Sequence, residues 1–265
     1  MFGSLIETVQ RLFLGFDMNS KIILENVSLV FDLHKNNKSS LKEMFANVLK
    51  DKHHVNKAEK FKAITNINLE INHGDRLGIV GHNGAGKSSL LKILCKIYEP
   101  SNGKVTICGN VAPLLEIGAG FNPELSGREN IYLNGAILGY NKKYLKAIEK
   151  DIIDFSELSE FIDTPVKYYS TGMYLKLAFA ISTAVQPDIL ILDELFAGGD
   201  AEFVNKAQIR MKSMIEDSNI MVFVSHQTEL LMELCNRVIW LDHGVIIADG
   251  EPKTIISKYL NKDFN

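Results

Sequence analysis

The sequence predicts an α/β fold with an all-helical block set into it, and three features carry that prediction. Short runs of branched aliphatic residues alternate with helical spacing toward both ends of the chain. Between about 121 and 186 the strand signals nearly vanish and helical patterns dominate. A glycine-rich loop stands between one buried strand and the helix after it, where such sheets place their ligands.

Taken in order, residues 1–20 open with Phe2, Leu5, Ile6, Val9, Leu12, Phe13 and Phe16 at three- and four-residue steps. Glu7 and Arg11 lie on the other face, so this stretch is expected to be an amphipathic helix ahead of a main domain at 21–265. It either packs on its own domain or docks on a membrane or a partner, unless Met18 is the true start. The strands "KIILENVSLVF" (21–31) and "FKAITNINLEI" (61–71) flank a lysine-rich insert, expected to be a solvated loop with a short helix near 40–50. After a turn at "HGD" come the buried strand "RLGIV" (76–80), the loop, and a helix over "LLKILCKIY" (90–98). "KVTICG" and "VAPLLEI" read as strands, and the helical block follows. Past Pro187 the order is strand "DILILD", helix 201–217, strand 219–225, helix 227–235, strand 237–242, a hairpin and a terminal helix. No internal repeat is visible.

Bulk properties exclude several classes. Hydrophobic residues at 46% and charged residues at 23% are ordinary globular proportions. A net charge of −3 gives no global reason to expect a nucleic-acid partner. Three dispersed cysteines without a CxxC pair read as small buried residues of a reducing compartment. No stretch reaches the ~18–20 apolar residues that span a bilayer, and no basic region leads an apolar segment at the start. The chain is therefore expected in the cytosol, with any membrane role supplied by a partner.

The chemistry begins at "GHNGAGKS". Gly81, His82, Asn83, Gly84, Ala85, Gly86, Lys87 and Ser88 match G-x-x-x-x-G-K-[ST] in the required strand–loop–helix setting, with Ser89 next. The glycines let backbone N–H groups curl around a β-phosphate, and the helix start adds partial positive charge. Lys87 is suited to the β/γ oxygens and the Ser88 hydroxyl to Mg²⁺. "DILILDE" ends a buried parallel strand in two carboxylates. Asp193 is suited to hold Mg²⁺, directly or through water, and Glu194 to orient and deprotonate an attacking water. "VFVSH" ends a further strand with His226, placed to contact a γ-phosphate. In "YYSTGMYLKLAFA", Ser170 or Thr171 is suited to cap a helix, yet Gly172 in the first turn costs roughly 1 kcal/mol relative to alanine.

The ordered set "GHNGAGKS", "YSTGM", "ILILDE", "AGGD" and "SH" resembles the ATP-binding cassette family over about 21–260. The resemblance implies a P-loop NTPase (RecA-like) core with an antiparallel β-subdomain and an inserted α-helical signature subdomain. It also implies ATP and Mg²⁺ as cofactors and a homodimer in which Ser170 and Gly172 face the γ-phosphate held by a second subunit. Asp200 would belong to the D-loop, and Phe31 lies near the adenine-stacking aromatic of the family. Two departures refine the match: Tyr169, Thr171 and Met173 replace letters of L-S-G-G-Q, and no Gln occurs between Gln10 and Gln186. "EIGAGFNPELSGREN" stands where the Q-loop glutamine is expected, so Glu116 is the candidate to replace its contact.

This stretch, the Y-S-x-G-M signature and the lysine-rich insert are similar to ATPase subunits that power export of lipid-linked O-antigen, capsule or teichoic acid. The implied partners are an integral membrane permease and, through it, the polysaccharide. The implied location is peripheral, on the cytoplasmic face of the bacterial inner membrane. The chain is expected to end before the carbohydrate-binding domain that some such exporters carry. A cassette ATPase acting on chromosomes, DNA breaks or ribosomes is the competing reading. It fits less well, because no sustained heptads separate the phosphate loop from the signature and only one cassette is present. A P-loop kinase or GTPase leaves the signature and Glu194 unexplained.

Overall fold

Strands buried on both faces read as unbroken aliphatic runs, and the central sheet is built from such runs. The computed structural model describes residues 20–33, 59–115, 117–193 and 200–262. The amphipathic segment 1–19, most of the lysine-rich insert, Glu116 and Glu194 lie outside the described residues.

Two sheets organise the fold. In the first, β1 (Lys21–Leu33) pairs antiparallel with β2 (Glu59–Asn72) and β4 (Asn102–Cys108), in the order β2-β1-β4. The second has the order β5-β6-β7-β3-β8-β9. It contains β3 (Arg76–Val80), β5 (Val111–Leu114), β6 (Ile189–Asp193), β7 (Ile220–Val224) and β8 (Arg237–Asp242), all parallel. β9 (Val245–Gly250) closes one edge as an antiparallel hairpin with β8.

Alternation along these strands divides the core. Ile189, Ile191, Ile220 and Val222 pack with Leu90, Leu91 and Leu94 of helix α1 (Lys87–Leu94) and with apolar residues of β1 and β2. Leu190, Leu192, Met221 and Phe223 face the opposite way. There they meet Leu177 and Phe179 of α4 (Thr171–Ser182), Phe203 and Met211 of α5 (Ala201–Asp217), and Ile255 of α7 (Pro252–Lys262). The β-sheet layer and the helical layer thus clamp the central sheet between them. The short helix α6 (Thr228–Leu234) adds Leu231 to the second cluster.

Between β5 and β6 the described elements are helical: α2 (Gly127–Ile137), α3 (Lys142–Ser156), a 3₁₀ turn (Val166–Tyr168) and α4. Helix α1 differs from its expected span. It begins at Lys87, because the loop residues themselves wind into the first turn, and it stops at Leu94. Lys96 then takes a left-handed conformation (φ 57°), which ends the apolar spacing before Tyr98. Cys108 also departs from expectation. It is exposed at the end of β4, an edge strand, whereas Cys235 is buried and Cys95 half-buried.

Candidate functional site

Parallel pairing brings the carboxyl ends of β3, β6, β7 and β8 to one edge of the sheet. The loop after β3 lies beside those after β7 and β8, and Asp193 sits opposite Val224 at the end of β6. A cavity of about 540 Å³ opens there. Asn83, Gly84, Gly86, Lys87, Ser88, Ser89, Asp193 and His226 line it, with Phe61, Ala63, Leu115 and Val224.

The loop conformation explains its glycines. Gly86 caps α1 in a left-handed conformation (φ 104°), and a Cβ there would meet the Ala63 carbonyl at 2.7 Å. Gly84 is also left-handed (φ 83°), but a Cβ there would meet nothing within 4 Å, so open space adjoins its backbone. Helices α2, α3, α4 and α5 each have a side-chain cap, from Ser126, Asn141, Ser170 and Asp200 respectively. Helix α1 has none, nor an acidic residue in its first turn. Its N–H donors therefore suit an anion in the cavity.

Lys87 is 8% exposed. Its Nζ donates to the carbonyls of Gly81 (2.6 Å) and His82 (3.0 Å). Burial lowers its pKa, and the Asp193 carboxylate opposes that shift. A desolvated ammonium beside an uncapped helix start is a strong attractor for phosphate. Ser88 and Asp193 add a hydroxyl and a carboxylate to the same cavity, hard oxygen donors that fit Mg²⁺. His226 follows β7 on a turn in which Ser225 Oγ accepts from Gln227 N at 3.0 Å, and its exposed ring reaches the cavity.

Other expected residues fall elsewhere. Ala85 is buried beneath the loop, and its carbonyl accepts from Gly244 N at 2.8 Å. His82 turns its ring away from the cavity toward Asp242. Phe31 packs edge-on against Tyr98, ring centroids 5.5 Å apart, and does not line the cavity. Its cross-strand partner Phe61 does, with 49% of its surface exposed. Sequence reading passed over Phe61; the available signal was an aromatic opposite Phe31 on the neighbouring strand.

Ser170, Gly172 and Asp200 do not line this cavity either. Ser170 Oγ accepts from Met173 N at 3.2 Å and so caps α4. The nearest atom to a Cβ on Gly172 would be that same Oγ, 3.9 Å away. Among the described residues nothing requires glycine there. Asp200 caps α5 and pairs with Lys176 of α4 at 2.7 Å, which holds its carboxyl below the usual range. Tyr174 was also missed. Its hydroxyl donates to Gly118 O at 2.7 Å, and its ring lies 4.9 Å from Phe121, so α4 is tied to the segment that follows β5.

Comparisons with known proteins agree with this geometry. The chain is 43% identical over 199 residues to the ABC transporter protein AbcA of Aeromonas salmonicida, covering 75% of this chain and 65% of that protein. It is 38% identical over 242 residues to the O-antigen export system ATP-binding protein RfbB of Klebsiella pneumoniae, covering 91% of this chain and 98% of that one. Among solved structures, the dimeric post-hydrolysis ATP-binding cassette MJ0796 bound to ADP and Pi superposes with a TM-score of 0.62 at 19% identity. That match covers 87% of this chain and 98% of the other. The sequence profile of the ABC transporter family matches residues 64–197. With its fold, phosphate loop and relatives in agreement, the chain belongs to the ABC transporter family.

Proposed function

We propose that this chain is the ATP-hydrolysing subunit of an ABC transporter that powers export of a lipid-linked polysaccharide through a separate membrane permease. The observation that carries the ATPase reading is the buried Lys87, which lines one cavity with Ser88 and Asp193 at the uncapped start of α1. The polysaccharide reading rests on similarity to the Klebsiella O-antigen export protein across nearly its whole length. Residues 21–265 act as the nucleotide-binding unit, with a helical part at about 121–186.

In this reading the loop N–H groups and Lys87 bind the β/γ oxygens, while Ser88 and Asp193 hold Mg²⁺. Bound Mg²⁺ supplies charge neutralisation at those oxygens. Glu194 removes a proton from the attacking water, His226 contacts the γ-phosphate, and Phe61 stacks on the adenine in preference to Phe31. Two copies pair so that Ser170 and Gly172 of one complete the site of the other. In this reading the permease supplies the path and this chain binds its cytoplasmic side. No helix among the described residues is long and apolar enough to cross a membrane.

Glu194→Gln is expected to keep nucleotide binding and slow turnover by about 10²–10⁴-fold. Lys87→Ala should instead lose binding itself. Unchanged hydrolysis in Glu194→Gln overturns the base assignment, and failure of the chain to co-purify with a polytopic membrane protein overturns the transport role.

A further inference from the structure

Two histidines and a carboxylate that ATP chemistry does not use converge beside the phosphate loop. His82 is the second residue of that loop, Asp242 closes β8, and His243 forms the turn into β9. His82 Nε2 lies 2.8 Å from Asp242 Oδ1, and His243 Nε2 lies 3.8 Å from the same oxygen. The imidazole centroids are 4.8 Å apart. One ligand atom from each residue lies within 4.8 Å of the other two, and among the described residues no other His, Cys, Asp or Glu group is so arranged.

We propose that His82, Asp242 and His243 form a three-ligand site for a divalent cation of the Zn²⁺ class, separate from Ser88 and Asp193. Tetrahedral Zn²⁺ with bonds of about 2.0–2.1 Å holds its donors about 3.3 Å apart. The observed 2.8 and 3.8 Å lie on either side of that spacing. The two histidine donors lie up to 4.8 Å apart, so an inward swing of the exposed His243 ring by about 1.5 Å, with shifts of about 0.5 Å at Asp242, closes the site without refolding the loop. Two imidazole nitrogens and one carboxylate oxygen favour Zn²⁺ and similar borderline ions over Mg²⁺, which prefers oxygen donors throughout. With three protein ligands the fourth position is open to water.

The surroundings fit ligation. His82 Nδ1 lies 2.7 Å from the Asn83 carbonyl, which fixes its hydrogen there and turns Nε2 toward the site. A backbone carbonyl in that role is a recurrent outer partner of metal-bound histidine. The Asp242 side chain is a fixed base at 12% exposure, whereas that of His243 is 84% exposed and free to swing inward. Backbone bonds from Gly244 N to Ala85 O (2.8 Å) and from Thr65 N to Gly244 O (2.9 Å) hold the turn against the loop. The His82 carbonyl accepts from Lys87, so the cation clamps a residue in direct contact with the phosphate-binding lysine. Any change it makes in nucleotide affinity is matched by an equal change in metal affinity.

The test titrates the full, tag-free chain with Zn²⁺ against a chromophoric chelator, and with Co²⁺ while recording visible ligand-field absorption. His243→Asn removes the imidazole but keeps a residue that tolerates the left-handed turn (φ 46°). It is expected to weaken one Zn²⁺ site at least about tenfold and to remove the matching Co²⁺ band. Asp242→Asn should do the same, while circular dichroism and Mg²⁺-dependent ATPase of His243→Asn stay unchanged without Zn²⁺. Equal Zn²⁺ stoichiometry and affinity in wild type and His243→Asn overturns the site, whatever the nucleotide assays give.

Discussion

Phe31 and Phe61 face each other across the β1–β2 ladder, yet only Phe61 meets the cavity. Phe31 spends its ring on Tyr98, whereas the half-exposed face of Phe61 borders the space beside Gly86 and Lys87. Base–aromatic stacking is worth about 1–3 kcal/mol by alanine substitution. Phe61→Ala should therefore weaken binding of a fluorescent ATP analogue about five-fold or more, and Phe61→Trp should restore it. Phe31→Ala should leave that affinity near wild type and lower the melting temperature instead. The opposite ranking in a binding titration would return the role to Phe31. Lys87, Ser88, Asp193 and His226 were legible beforehand because each belongs to a short motif read on one strand end. Phe61 was not legible, because its place depends on strand register. The β1–β2 ladder slips three times between Leu24 and Val30, and side-chain alternation alone does not encode those slips.

Helix α4 shows the same division at the scale of an element. Its start was legible from "YST" before an apolar run, and Ser170 does cap it. What the helix is tied to was not. The Tyr174–Gly118 hydrogen bond spans 56 residues and the Lys176–Asp200 pair joins two separate helices, so neither leaves a local signal. Capping and a role toward nucleotide can be separated at Ser170, since aspartate caps as well as serine does. Ser170→Ala should cost about 1 kcal/mol of stability, and Ser170→Asp should recover it. If the hydroxyl also faces a γ-phosphate, the aspartate variant stays defective in ATP-dependent dimerisation, because it sets a carboxylate against an anion. Thermal melts and size-exclusion runs with ATP on Glu194→Gln backgrounds read the two effects independently. Full recovery of both in Ser170→Asp would reduce Ser170 to a cap.

At the scale of the molecule, the phosphate loop and the signature occupy different places in one chain. Lys87 lines the cavity, and Ser170 and Gly172 do not. Gly172 has open space where a side chain would sit, and no contact among the described residues requires that space. A partner that approaches closely is a physical reason to keep the backbone bare there. Mixed dimers decide whether that partner is a second copy. Lys87→Ala disables a phosphate loop and Ser170→Arg blocks a signature, so each homodimer should trap almost no nucleotide. In a mixed dimer, the Ser170→Arg chain contributes an intact loop and the Lys87→Ala chain an intact signature. If ATP lies between copies, those halves meet in one complete site and trapping approaches half of wild type. If each signature serves its own loop, every site lacks one half and trapping stays at background. Differently tagged chains, purified through both tags, ensure that the measured dimers are mixed. Trapping is the better readout than turnover, since a single complete site need not cycle without its twin. Background trapping in folded mixed dimers would place the signature of each chain with its own phosphate loop.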